Sequence, residues 1–160
     1  MHLKTLVLGM GNPILSDDGV GIRVAQEIES KLVDPEVTVA EAALGGFALL
    51  DLIPGYDRVI IVDAIQTEGG EVGTVYRLGV DDFAFAKHLS SPHDMNFFTA
   101  LELGARLGMA IPPKITIFAI EVEDVTTVSE ECTPKVKEAI PTCVETVLHE
   151  LKRDPDALVS

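Results

Sequence analysis

The fold is decided by two neighbouring stretches, Lys4-Thr-Leu-Val-Leu-Gly9 and Val20-Gly-Ile-Arg-Val-Ala-Gln-Glu-Ile28. The first stretch is apolar over most of its length, which is typical of an inner strand in a parallel sheet. In the second stretch, apolar residues recur at the spacing of an amphipathic helix and continue to Leu32. A strand joined to a helix by a turn in this way predicts the opening of a β-α-β unit.

The same alternation continues along the rest of the chain. Further strands are predicted at 37–41, 58–63, 73–78 and 115–120, with helices at about 45–53, 94–107 and from 134 onward, and a polar connection before 94. We therefore predict an α/β fold with three α/β/α layers, in which helices flank a central, mostly parallel, twisted sheet. Residues 1–153 are expected to form a single α/β domain, followed by a flexible tail at 154–160.

Composition and charge exclude several classes of function. The chain has 47% hydrophobic residues, as globular proteins do, and a formal net charge of −14. A strongly negative protein binds nucleic acids and anionic membranes poorly, so neither is expected as a partner. Cys132 and Cys143 form no Cys-x-x-Cys pair, and no signal peptide or spanning segment is recognisable. We expect reduced thiols and a cytoplasmic protein.

The loop after the first strand has some features of a dinucleotide-binding loop. It begins with Gly9 and Gly11, but Ile14 stands where that fingerprint needs a third glycine. Asp17 and Asp18 then place two carboxylates where a phosphate would meet the helix N-terminus. These charges oppose a phosphate and favour a cation. One of the two is expected to cap the helix, which leaves the other for different chemistry.

Polar side chains follow three predicted strands at their carboxyl ends, where open α/β sheets bind ligands. Asp18 follows the first strand, Asp63 ends the strand 58–63, and Glu121 follows the strand 115–120. His93 lies just before a predicted helix on the connection to that last strand. Two carboxylates and one imidazole suit a borderline divalent ion such as zinc or nickel, with coordination positions left open. We predict a metal site of Asp18, Asp63 and His93, although each residue alone also fits a structural role.

At four landmarks the sequence resembles the [NiFe]-hydrogenase maturation endopeptidases. The landmarks are Leu6-Val-Leu-Gly-Met-Gly-Asn-Pro-Ile-Leu-Ser-Asp-Asp-Gly-Val-Gly21, Gly45-Gly46, Ile60-Ile-Val-Asp-Ala64 and Ser91-Pro-His-Asp94. Their order and spacing agree with those of the family, and the resemblance extends to about Leu151. Four landmarks in the right order make this resemblance specific.

The resemblance implies an activity and a set of site residues. Asp18, Asp63 and His93 would bind nickel, and Gly45 and Gly46 would contact the substrate. The family removes a C-terminal peptide from the precursor of the hydrogenase large subunit after nickel has been inserted. Nickel would therefore be carried by the precursor rather than by the resting protease. The resemblance further suggests a monomer, and no catalytic residue is assigned beyond the metal cluster.

Three alternatives remain open from the sequence, and one of them is that the proposed metal site is a metal-independent network of structural caps. Another is a nickel-checking or chaperone-like module that docks on the precursor without cutting it, since such a module would use the same ligands. The third is a nucleotide-binding α/β protein that uses the glycines of the first loop. Conventional protease signatures are missing, because the chain contains neither Gly-x-Ser-x-Gly nor His-Glu-x-x-His.

Overall fold

A computed structural model describes residues 3–43, 49–90 and 97–153 of the chain. These residues form five strands and five helices, with a short 3-10 turn before the first helix. The strands are β1 (Thr5–Met10), β2 (Val37–Ala42), β3 (Arg58–Ile65), β4 (Val75–Leu78) and β5 (Lys114–Glu121). The helices are α1 (Val20–Lys31), α2 (Leu49–Leu52), α3 (Val80–Ser90), α4 (Phe97–Arg106) and α5 (Pro134–Leu151), and the 3-10 turn covers Ser16–Gly19.

The strands form one sheet in the order β2-β1-β3-β5-β4. The first four run parallel to their neighbours, and β4 alone is antiparallel, at the edge next to β5. All four parallel strands therefore end at one edge of the sheet, which we call the carboxyl edge. Asp63 pairs with Ala119 across β3 and β5 near this edge.

Helices cover both faces of the sheet, because the side chains of each strand alternate between two apolar clusters. One cluster joins Val7, Ile60 and Phe118 to α1 and α5. The other joins Leu6, Ile61 and Ile117 to α2, α3 and α4. The predicted α/β/α architecture with a mostly parallel sheet is thus confirmed. No helix within the described ranges is long and apolar enough to cross a membrane.

One predicted segment was wrong. The sequence predicts a polar connection before residue 94, but α3 occupies Val80–Ser90 there. Phe83 of this helix is buried against the sheet, so tertiary packing stabilises a segment with little helical patterning of its own. Asp81 and Asp82 in its first turn lie at the positive end of the helix dipole.

The start of α1 is held against the carboxyl edge by glycine contacts. A Cβ atom added to Gly21 would lie 2.3 Å from the carbonyl oxygen of Val62 and 2.5 Å from that of Met10. A Cβ on Gly9 would lie 2.5 Å from the carbonyl oxygen of Gly21. The helix therefore approaches the ends of β1 and β3 more closely than any side chain allows.

Replacing Gly21 by alanine should destabilise the protein. The added methyl group meets two backbone carbonyls that cannot move independently, so we expect G21A to lower the free energy of unfolding by about 3 kcal/mol. Urea denaturation followed by circular dichroism measures this. G79A is the matched control, since a Cβ there has no atom within 4 Å, and it should change stability by less than about 0.5 kcal/mol. Equal stability of the two variants would contradict the close approach.

Candidate active site

Asp18 lies in the 3-10 turn that links β1 to α1 and is partly exposed. Its Oδ2 atom accepts a hydrogen bond of 2.9 Å from the backbone N–H of Asn12. A Cβ on Gly11, whose φ is +137°, would overlap the Asp18 carbonyl oxygen, so the loop folds tightly back on itself. Gly21, which contacts the ends of β1 and β3, follows Asp18 by three residues. The turn therefore lies next to the ends of these two strands.

Asp17 has a different role from its neighbour, because its side chain is fully buried. Its two carboxylate oxygens accept hydrogen bonds from the backbone N–H groups of Glu123, Asp124 and Thr133, and from the Thr133 hydroxyl. The prediction that Asp17 or Asp18 caps α1 was wrong. Gly19 occupies the N-cap position, with no side-chain hydrogen bond to the helix.

Asp63 lies near the end of β3 and is 5% exposed. Its Oδ1 atom accepts a 2.8 Å hydrogen bond from the backbone N–H of Ala64. It shares its sheet face with Ile61 and Ile65, and both pack in the cluster that α2, α3 and α4 cover. A carboxylate in such surroundings is costly to bury unless partners or a cation compensate it. Its position on an apolar strand was the signal that singled it out in the sequence.

Glu121, a further acidic residue near the carboxyl edge, forms hydrogen bonds within the fold. It is 1% exposed and accepts hydrogen bonds from the N–H and hydroxyl of Thr67 and from the Tyr76 hydroxyl. Burial, reinforced by Glu121, raises the pKa of Tyr76, so this hydroxyl remains a donor. These hydrogen bonds connect the segment after β3, at Thr67, to strands β4 and β5. The sequence contained no local signal for this contact, because its partners are 45 and 54 residues away.

The remaining predicted site residues lie outside the described residues. These are His93, which would complete the metal site, and the substrate-contacting pair Gly45 and Gly46. Within 3–43, 49–90 and 97–153, no three His, Cys, Asp or Glu side chains are grouped so as to hold a metal ion. The set of Asp18, Asp63 and His93 therefore stays a prediction.

Both cysteines are buried free thiols and are poorly suited to act as nucleophiles. Burial raises the pKa of Cys143 to about 12. Burial, together with the charge of Asp17, also raises the pKa of Cys132. Since the thiolate is the reactive form, both side chains are protonated and inert at neutral pH. The sequence predicts reduced thiols, and both cysteines are free in the structure.

Comparison with known proteins identifies the class. A sequence model of the HycI family, described as hydrogenase maturation protease, matches residues 22–150. The hydrogenase 2 maturation protease of Escherichia coli is 28% identical over 152 residues, which cover 94% of this chain and 92% of that protein. Protein FrxA of Pyrococcus furiosus is 30% identical over 139 residues, covering 84% of this chain and 95% of its own length.

Solved structures agree with the sequence matches. The hydrogenase maturating endopeptidase HybD from E. coli superposes with a TM-score of 0.81 and 28% identity, covering 94% of this chain and 93% of HybD. The HycI maturation protease from Thermococcus kodakarensis has a TM-score of 0.72 and 94% coverage of both chains, and at 21% identity it supports the fold alone. The chain belongs to the hydrogenase maturation protease family.

Family membership decides among the functions predicted from the sequence. The chain is a protease, an enzyme that hydrolyses a peptide bond during hydrogenase maturation, as the resemblance implied. The non-cleaving module and the nucleotide-binding protein are not supported. Asp17 is also unsuited to activate a water molecule. Both of its carboxylate oxygens are buried and accept hydrogen bonds from N–H groups of the protein.

Alkylation measures the state of the thiols directly. At pH 7.5 the native protein should react with iodoacetamide at neither Cys132 nor Cys143 over a period in which the urea-unfolded protein is labelled twice. Intact-mass spectrometry counts the adducts. Rapid single labelling of the native protein would show a reactive thiolate and reopen a cysteine mechanism.

Proposed function

We propose that this protease removes a C-terminal peptide from the precursor of a [NiFe]-hydrogenase large subunit and recognises nickel already bound to that precursor. The observation that carries the proposal is the placement of the Asp18 turn beside the end of β3. Gly21, three residues after Asp18, contacts the carbonyl of Val62, the residue before Asp63. The two carboxylates are thus brought to the same edge of the sheet by backbone packing.

The chemistry of these donors supports nickel as the ion. Carboxylate and imidazole ligands are compatible with nickel, and a site with three protein ligands leaves coordination positions for ligands of the precursor. A nickel ion carried in by the precursor would supply Lewis-acid chemistry next to the scissile bond. The protease itself contributes the carboxylates of Asp18 and Asp63 and the imidazole of His93, which orient the precursor against the carboxyl edge.

The third ligand is proposed from the two helices that flank it in the sequence. His93 lies between α3 and α4 in the chain, and both helices pack on the sheet face to which Asp63 belongs. The helices that flank His93 in the sequence thus share a sheet face with Asp63, and on this ground we propose His93 as the third ligand. Gly45 and Gly46 lie between β2 and α2 in the chain, after another strand that ends at the carboxyl edge. They are proposed to contact the backbone of the precursor, because glycine permits close approach.

Processing of purified precursor tests the proposal. A nickel-loaded large-subunit precursor should lose a C-terminal peptide when incubated with the protease, whereas the nickel-free precursor should remain intact. Asp63→Asn and His93→Ala should each lower the processing rate by about a hundredfold or more, as loss of a preorganised electrostatic contact does. Mass spectrometry of the precursor measures both effects.

The control for the histidine is His149→Ala, since His149 is exposed near the end of α5, far from the carboxyl edge, and its loss should leave processing unchanged. Processing of the nickel-free precursor at the same rate would overturn nickel recognition. Full activity of folded D63N and H93A with the nickel-loaded precursor would overturn the ligand assignment.

A further inference from the structure

The connection between β5 and α5 is attached to the Asp18 turn through one carboxylate. Oδ1 of Asp17 accepts a 2.7 Å hydrogen bond from the Thr133 N–H. Oδ2 accepts bonds of 3.2 and 3.1 Å from the N–H groups of Glu123 and Asp124, and one of 2.8 Å from the Thr133 hydroxyl. Donors from both ends of the connection thus converge on a single buried side chain.

The backbone of the turn is bound to the same connection. The N–H of Asp17 donates to the carbonyl of Asp124 at 2.9 Å, and the N–H of Ser16 donates to that of Ser129 at 2.9 Å. The Ser16 hydroxyl donates to the carbonyl of Glu131 at 3.2 Å. The turn therefore takes its position from the β5–α5 connection as well as from β1.

These contacts hold the turn in a conformation that it would not adopt alone. Ser16 has a φ of +51°, a backbone region that residues other than glycine rarely occupy. Such conformations persist only where the surrounding structure over-determines them, and they concentrate at functional sites. Here the over-determining contacts are those of Ser16 and Asp17, directly before Asp18.

We propose that Asp17 is a positioning residue for the protease reaction. By fastening the turn to the β5–α5 connection, its carboxylate sets where the neighbouring carboxylate of Asp18 meets the nickel-bearing precursor. This inference rests on the proposed function, because it assigns a purpose to the location of Asp18. Asp17 contacts neither precursor nor nickel in this account, and its effect passes entirely through Asp18.

Substitutions at Asp17 and Thr133 distinguish this positioning role from an effect on the stability of the fold. Asp17→Asn replaces one acceptor oxygen by an NH2 group that faces N–H donors, and Thr133→Val removes one donor hydroxyl. Thr133→Ser keeps that hydroxyl. Glu150→Gln is the matched control, since Glu150 is also a buried carboxylate but pairs with Arg77 and lies near the end of α5, away from the turn.

The first readout is kcat/KM for the nickel-loaded precursor, measured where every variant is fully folded. D17N should lower it by about a hundredfold, as a displacement of about 1 Å at a catalytic group does. T133V should lower kcat/KM less than D17N does. T133S keeps the hydroxyl, so its kcat/KM should stay within about threefold of the wild-type value. E150Q should lose stability without losing activity. Wild-type kcat/KM in D17N, or equal losses in D17N and E150Q, would overturn the inference.

The second readout does not depend on cleavage. The N–H of Asn12 donates to the Asp18 carboxylate, so its hydrogen exchange reports the position of that carboxylate. D17N should accelerate exchange of this amide by about tenfold or more, and E150Q should not. Unchanged exchange in D17N overturns the positioning role even if no precursor is processed. Failure of the wild type to process nickel-loaded precursor, with faster exchange in D17N, overturns the proposed function alone.

Discussion

The candidate site depends on one backbone contact, the close approach of Gly21 to the carbonyl oxygens of Met10 and Val62. This contact sets the first turn of α1 between the ends of β1 and β3, and so fixes the spacing between the loop after β1 and the end of β3. Asp18 precedes the contact by three residues, and Asp63 follows Val62 directly. Nothing larger than glycine could occupy that position without moving one carboxylate relative to the other.

Four acidic residues near the carboxyl edge, Asp17, Asp18, Asp63 and Glu121, divide into two kinds. Asp17 and Glu121 are almost completely buried and are surrounded by hydrogen-bond donors, so their charges stabilise connections of the fold. Such carboxylates contribute stability that is lost if a donor is removed, because a buried charge is left uncompensated. Asp18 is partly exposed, and Asp63 lies between apolar neighbours in β3. These two are the carboxylates that we propose to meet the nickel-bearing precursor.

Much of the fold could be predicted because it follows from local patterns. The apolar run Val59–Val62 reflects burial on both faces of the sheet, and the helical spacing after Val20 reflects burial on one face of a helix. A single sequence displays both patterns directly. Helix α3 was missed, since its place depends on packing of Phe83 against a distant sheet. Asp63 could be singled out by its unusual surroundings, whereas the structural role of Asp17 could not, because Thr133 lies 116 residues away.

The central claim is that carboxylates of this chain meet nickel held by the precursor. Nickel K-edge X-ray absorption of the nickel-loaded precursor, recorded alone and in complex with the protease, tests it most directly. We predict that oxygen and nitrogen scatterers join the nickel shell in the complex with the wild type, and that fewer join with Asp63→Asn. An unchanged nickel shell in a complex that has demonstrably formed would contradict the account.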